Sequence, residues 1–471
     1  MPLVLKSAGL FSKLCKLAFQ NVSTAMKKGI IVFLMCCLSA SLLAQSAVQS
    51  QGSMVKLNLI KAVEIAVQNN LNVKSSEVSL SNAQLNFQQA KNNQLPGMNA
   101  NIGQASSYGR SLNPFTNTYD PRNINYNNVG LNANLVVFNG GQLRNAISQN
   151  EYSLKASAED LQAIKENISL QVVLAYLNIL NAEDQLSIAK TQTEITKLQI
   201  EKTQKLVNAG SVAMTNLLDL KAQLANEESN VVSFQSTLDL NRLSLVQLLN
   251  DSSIQQVELE RIQVPAPNTA AFGVSISEVY QKAIEIQPLI KSADYKVLSA
   301  GKSIDVAKAL LLPSLSLSGS WSANQSNALN TSYFEQLDNT QNKVVSLNLS
   351  IPIFSKLSNK TRISQASLQK VNAEIEANRA RLTLRQNIEQ AYVNMSNSAK
   401  KYEASVVQVS ALEESFRASE SKFNAGAIDF VSYSLQKTNL DKAKLTLVQN
   451  KYDFVFRTKI LDYYQGKNLT F

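Results

Sequence analysis

The stretch Val345-Ser-Leu-Asn-Leu-Ser-Ile-Pro-Ile-Phe354 governs how the rest of the chain is read. Val345, Leu347, Leu349, Ile351 and Ile353 fall on alternate positions, with Ser346, Asn348 and Ser350 between them. Period two is the repeat of a β-strand, and one apolar face against one polar face suits a sheet that separates two different solvents. With the residues just before it, the pattern predicts a strand over about 343–353, roughly the ten residues that a tilted strand needs to cross a bilayer.

Three further stretches carry the same kind of pattern. Leu315, Leu317 and Trp321 alternate with serines over about 314–323, and Val129, Leu131, Ala133, Leu135 and Val137 alternate with mostly polar or small residues over about 128–138. A fourth strand is expected over about 98–108. The segments 109–127 and 325–342 between the paired strands are long, polar and Asn-rich, as extracellular loops are. A soluble β-sandwich would need a second sheet, and no other strand pattern supplies one.

The strands belong to an internal duplication. A leucine-led helix from Leu57 to Asn70, an amphipathic stretch to Leu95-Pro96 and two strands are repeated as Val274 to Gln287, a stretch to Leu312-Pro313 and two more strands. Each half then enters a run free of Gly and Pro, Gln142 to Ala209 and Ser355 to Ala425. As a helix each run would be roughly 100 Å long. Both end in Asn-Ala-Gly, at 208–210 and 424–426, and a Gly just past a helix end supplies the left-handed residue that turns the chain. Return helices follow, with Leu217, Leu224, Val231, Leu238 and Leu245 in one and Tyr433, Leu440, Leu447, Phe454 and Leu461 in the other, a seven-residue packing seam. The expected organisation is thus a first repeat over 45–250 with a hairpin turn at about 208–214, a linker over 251–272 containing Pro265 and Pro267, and a second repeat over 273–471 with a turn at about 424–430 and a C-terminal equatorial segment.

Residues 26–44 read as a signal peptide: Met26-Lys27-Lys28, an apolar run from Ile30 to Leu43, then Ala44-Gln45. Residues 1–25 read as a mis-called N-terminal extension ahead of Met26. Cys15, Cys36 and Cys37 all lie in this leader, so the mature part has no disulfide framework. The chain has no histidine, which together with the missing thiols removes the commonest general base, metal ligand and nucleophile. No enzyme activity, catalytic residue, cofactor or metal site is expected. Glu227-Glu228 and Glu413-Glu414 read as solvated or lumen-facing carboxylates. The formal charge of +10 is concentrated partly in the leader and shows no aromatic-interleaved basic patch, so nucleic acid is not an expected partner.

A membrane sheet must close, because lipid cannot satisfy an open edge, and four strands cannot close alone. Two chains would give eight strands, whose interior side chains fill, whereas three give twelve and a lumen. At this point the chain resembles the TolC family of outer-membrane efflux proteins over nearly its whole mature length. The resemblance rests on the paired helix-strand-strand-hairpin halves, the helix ending in Asn69-Asn70, Leu-Pro-Ser-Leu-Ser-Leu at 312–317, Leu349-Ser-Ile-Pro-Ile-Phe354 and the two Asn-Ala-Gly turns.

The resemblance implies a mainly α homotrimer, with four strands per chain in a shared twelve-stranded barrel in outer-membrane lipid and a long α-helical barrel of paired hairpins in the periplasm. It implies the passive exit duct of a tripartite efflux pump or type I secretion system, gated at its periplasmic end. The partners would be a periplasmic adaptor (membrane fusion) protein and an inner-membrane pump of RND, MFS or ABC type. The adaptor would dock on hairpin tips at Ala209, Gly210 and Ser211 and at Ala425, Gly426 and Ala427. Aligning the turn glycines puts Asn216, Ser432 and Leu435 where the family has acidic residues at the periplasmic entrance, so those acidic rings are not reproduced. Asp219 and Asp429 lie nearby and could supply charge there, although Asp429 also suits the N-cap of the return helix. The rival readings are a secreted adhesive coiled-coil protein and a carbohydrate-active enzyme; the latter would need a paired-carboxylate site that is not visible.

Overall fold

The computed structural model describes residues 54–109, 111–112, 117–120, 123–251, 253–262 and 275–467. The leader with its cysteines, half of the linker including Pro265 and Pro267, and Phe471 lie outside the described residues. Almost all described residues fall in one compact unit, Val55–Ser252 with Gln256–Phe471.

Four long strands form one antiparallel sheet: β2 (Gly97–Ser107), β5 (Ile124–Asn139), β7 (Ser314–Ser326) and β8 (Asn342–Ser350), in the order β2-β5-β7-β8. Small two-stranded sheets join β1 (Met54–Leu57) to β6 (Gln256–Leu259) and β3 (Ser111–Leu112) to β4 (Tyr119–Asp120). β8 stops at Ser350, short of the expected 353, because Pro352 has no N–H to continue the ladder. β5 carries a bulge: Val136 pairs with Ser316 and Phe138 with Leu315, leaving Val137 as the extra residue. Phe138 thereby replaces Val137 at the end of the row in which simple alternation had placed Val137.

Each strand continues into a helix of one layer. α2 (Leu71–Asn92) leads to β2, β5 leads to α3 (Gln142–Asn208), α6 (Pro288–Ala309) leads to β7, and β8 leads to α8 (Ser358–Asn424). α2 packs on α3, α3 on α6 and α6 on α8, the same order as the strands. Shorter helices α1 (Leu59–Asn69) and α5 (Ile276–Ile286) precede α2 and α6, and α7 (Tyr333–Asn339) sits in the long second strand loop. Buried Gln336 fixes α7 to the loop: its side chain accepts from the Ser326 N–H at 2.8 Å and donates to the Thr331 carbonyl at 2.8 Å.

α3 and α8 are 67 residues each, about 100 Å as helices. Each turns back into a return helix, α4 (Met214–Leu249) and α9 (Phe430–Tyr464). The seven-residue seams face inward: Leu217, Leu238 and Leu245 of α4 are buried, as are Tyr433, Leu440, Phe454 and Leu461 of α9. Two edges of the layer keep apolar rows that no described residue covers. Leu71, Val78 and Leu85 are exposed along α2, and Leu368, Val371, Ile375 and Leu382 along α8.

Candidate functional site: two sheet faces and two hairpin turns

Register sorts most of the strand residues by character, with Val136 and Val344 as apolar residues on the polar face and Lys343 beside Trp321 on the apolar one. One face carries Asn99 and Asn101 of β2, Asn128, Asn132 and Asn134 of β5, alternate residues of β7 from Ser316 to Asn324, and Ser346 and Asn348 of β8. The other carries Met98, Ala100 and Ile102, then Val129, Leu131, Ala133 and Leu135, then Leu315, Leu317, Trp321 and Ala323, then Val345, Leu347 and Leu349. Ile102, Val345, Leu347 and Leu349 are exposed. At about 3.4 Å per residue, eleven-residue β2 is some 37 Å long, enough to cross a bilayer core at the usual barrel tilt.

The polar face is built from amides and hydroxyls that bond across strands. Asn128 donates to Asn324 at 2.6 Å and Asn132 to Asn101 at 2.9 Å. Ser318 and Ser346 hydroxyls lie 3.1 Å apart, and Asn348 donates to Ser318 at 3.2 Å. These neutral groups suit a water-filled lumen, and the opposite face suits hydrocarbon.

At the far end of the helices both turns are Schellman caps. The Gly210 N–H donates to the Val207 carbonyl and the Ser211 N–H to the Leu206 carbonyl; Gly426 and Ala427 donate likewise to Phe423 and Lys422. Gly210 and Gly426 have φ of +72° and +74°, and a Cβ at either would meet nothing. Backbone conformation, rather than close packing within the chain, requires glycine there. Ala209, Ser211, Ala425 and Ala427 are exposed beside them.

The entrance candidates divide. Asp429 caps α9, its carboxylate accepting the Ser432 N–H at 2.8 Å. Hydrogen bonds from the Ser432 side chain and then its backbone hold that carboxyl below the usual range. Asp219, Ser432 and Leu435 are exposed, whereas Asn216 is half-buried. Just inside the turns, Phe430 and Tyr433 are buried with Leu220, against Ile200, Phe416, Phe423 and Ile428. Tyr433 stacks on Phe423 with centroids 4.7 Å apart. This apolar knot joins the first hairpin to the second.

One reading is overturned. Glu227 is not a solvated carboxylate: its side chain is only 12% exposed and bonds Lys437 Nζ at 2.8 Å. Neither residue type nor spacing marks Lys437 in the sequence as a partner for a carboxylate more than 200 positions away. Glu228, Glu413 and Glu414 are more open and pair with Lys197, Lys444 and Arg417. Among the described residues no group of His, Cys, Asp and Glu could hold a metal, and no helix is long and apolar enough to cross a membrane.

A sheet wet on one face and greasy on the other, continued by long hairpins of polar character, defines a membrane-spanning duct. The chain belongs to the outer membrane efflux protein family, which matches residues 62–251 and 279–457. It is 24% identical over 361 residues to the outer membrane protein TolC of Escherichia coli (strain K12), covering 72% of this chain and 70% of TolC. Over 324 residues it is 24% identical to the alkaline protease secretion protein AprF of Pseudomonas aeruginosa, covering 66% of this chain and 63% of AprF. The solved structure of CusC superposes with a TM-score of 0.74 at 17% identity, covering 88% of this chain and 93% of CusC. The chain is an outer-membrane exit duct for efflux or secretion.

Proposed function

We propose that three copies close a twelve-stranded barrel and a helical tunnel, forming the passive outer part of an efflux or secretion assembly whose adaptor docks on the hairpin turns. The two-faced sheet with unpaired outer edges carries this reading, since such edges are untenable in lipid. Successive strands alternate in direction, so β8 of one copy meets β2 of the next antiparallel. The exposed rows of α8 and α2 lie on the same two edges and would pack together as the ring closes head to tail. The duct moves cargo without transforming it, and a separate inner-membrane pump supplies the energy.

Mass of the detergent-solubilised protein, combined with single-channel recording in planar bilayers, tests this. The expected result is a trimer that gives discrete openings; a monomer without openings would overturn the reading. The turns at Ala209-Gly210-Ser211 and Ala425-Gly426-Ala427 serve as adaptor contacts because their small, exposed side chains admit close approach of another backbone.

Asp219 and Asp429 are the acidic groups we assign to the entrance. Replacing both with Asn preserves the α9 cap, because Asn caps as well as Asp. The double variant is expected to lose cation preference in reversal-potential measurements under a salt gradient. An unchanged preference would remove these residues from the selectivity of the entrance.

A further inference from the structure

Lys437 is 5% exposed, and among the described residues it is the one charged residue that is buried. It lies on α9, two turns beyond the Asp429 cap, and ties three helices together. Its Nζ reaches Thr196 Oγ1 of α3 at 2.9 Å, Glu227 Oε1 of α4 at 2.8 Å and Asp441 Oδ2 of α9 at 3.3 Å. Gln223 also donates to Glu227 Oε1 at 2.9 Å, and Ser434 of α9 donates to Gln223 at 2.9 Å. The other oxygen, Glu227 Oε2, is buried with no partner, as is the Nε2 of Gln192, one turn from Thr196. Buried polar atoms are rarely left so, and a bare carboxylate oxygen is among the costlier ones.

The charges do not balance either. Two carboxylates share one ammonium. The other groups around the cluster are Thr196 and Gln192 on α3, Gln223 on α4, and Tyr433 and Lys444 on α9, with Lys444 itself engaged by Glu413 of α8 at 3.0 Å. We propose that the Glu227–Lys437–Asp441 cluster is a proton-binding site: one proton taken up at Asp441 leaves Glu227 and Lys437 as a balanced pair, and its uptake favours the docked arrangement of the two hairpins. The consequence for gating rests on the duct reading; the site itself does not.

Burial is the largest influence on Asp441 and pushes its carboxyl up, against the pull of Lys437 and with a further push from Glu227. The sign follows. The docked state holds the proton more tightly than the parted, hydrated state, so docking gains from acid and loses that gain as pH rises through the docked-state pKa.

Amide hydrogen exchange of α4 and α9 in the full-length, detergent-solubilised protein tests this, at about pH 5 and about pH 7.5 after correction for intrinsic rates. Wild-type protection around 433–445 is expected to be several-fold higher at the lower pH. Asp441→Asn, which mimics the protonated acid, should hold similar protection at both. Lys437→Met, which keeps the apolar stem but strands two carboxylates, should lower protection at the higher pH by at least about tenfold. Wild-type pH dependence persisting in Asp441→Asn, or wild-type protection in Lys437→Met, would overturn the proposal. Failure of the channel reading would appear instead in bilayers and leave these exchange results standing.

Discussion

Arginine in place of Leu131 is expected to abolish assembly of the barrel. Leu131 sits near the middle of β5, opposite Ala100 and Trp321 on the apolar face, and is 40% exposed within the chain. A guanidinium at that depth costs about 2–4 kcal/mol in hydrocarbon, and each added copy repeats the cost around the ring. Ser320→Arg supplies the control. It places the same side chain on the polar face between Asn132 and Val344, where water solvates it. This variant should still assemble and should change only conductance and ion preference. Heat-modifiable migration on gels and single-channel recording separate the two outcomes. If Leu131→Arg assembled as well as Ser320→Arg, the assignment of the faces would be wrong.

The second large effect is expected at the waist, where sheet gives way to helix. Gly140 joins β5 to α3 with φ of +63°, and a Cβ there would lie 2.7 Å from Leu312 Cβ and 2.8 Å from the Ala309 carbonyl oxygen. A non-glycine residue in the left-handed region costs roughly 1–2 kcal/mol, and forcing it against backbone adds about 1–3 kcal/mol. Gly140→Ala should therefore lower stability by about 2–5 kcal/mol, seen as a lower dissociation temperature and poor membrane yield. Gly103→Ala should be close to neutral, because nothing lies within 4 Å of a Cβ there and its φ is ordinary. Equal behaviour of the two variants would contradict this account of the junction.

Why some of this was readable in the residues and some not has a physical basis. Val345, Leu347 and Leu349 alternate with serine and asparagine because the same strand meets two solvents, and that constraint is written locally. The long helices are legible through missing Gly and Pro, and the turns through glycines whose positive φ few other residues tolerate. The bulge at Val137 left no comparable mark, since Val136, Val137 and Phe138 are all apolar and only pairing with β7 distinguishes them. Glu227 was misplaced for a related reason. Its neighbour Glu228 is open, and what buries Glu227 comes from α9, far along the chain. Hairpin turns could be located, whereas any role in docking depends on surfaces that other molecules contribute.

The polar face of the sheet has a further implication for whatever passes it. Asn128 with Asn324, Asn132 with Asn101, and Ser318 with Ser346 are already engaged with one another across the strands. Groups so occupied offer a solute only part of their donor and acceptor capacity, and no carboxylate or ammonium stands among the paired residues of that face. A solute exchanging water for such a wall gains little, because hydrogen bonds traded with solvent are nearly balanced. The lining should therefore wet readily and adhere weakly, so that dwell time within the barrel is short and friction there is close to that of the confined water itself.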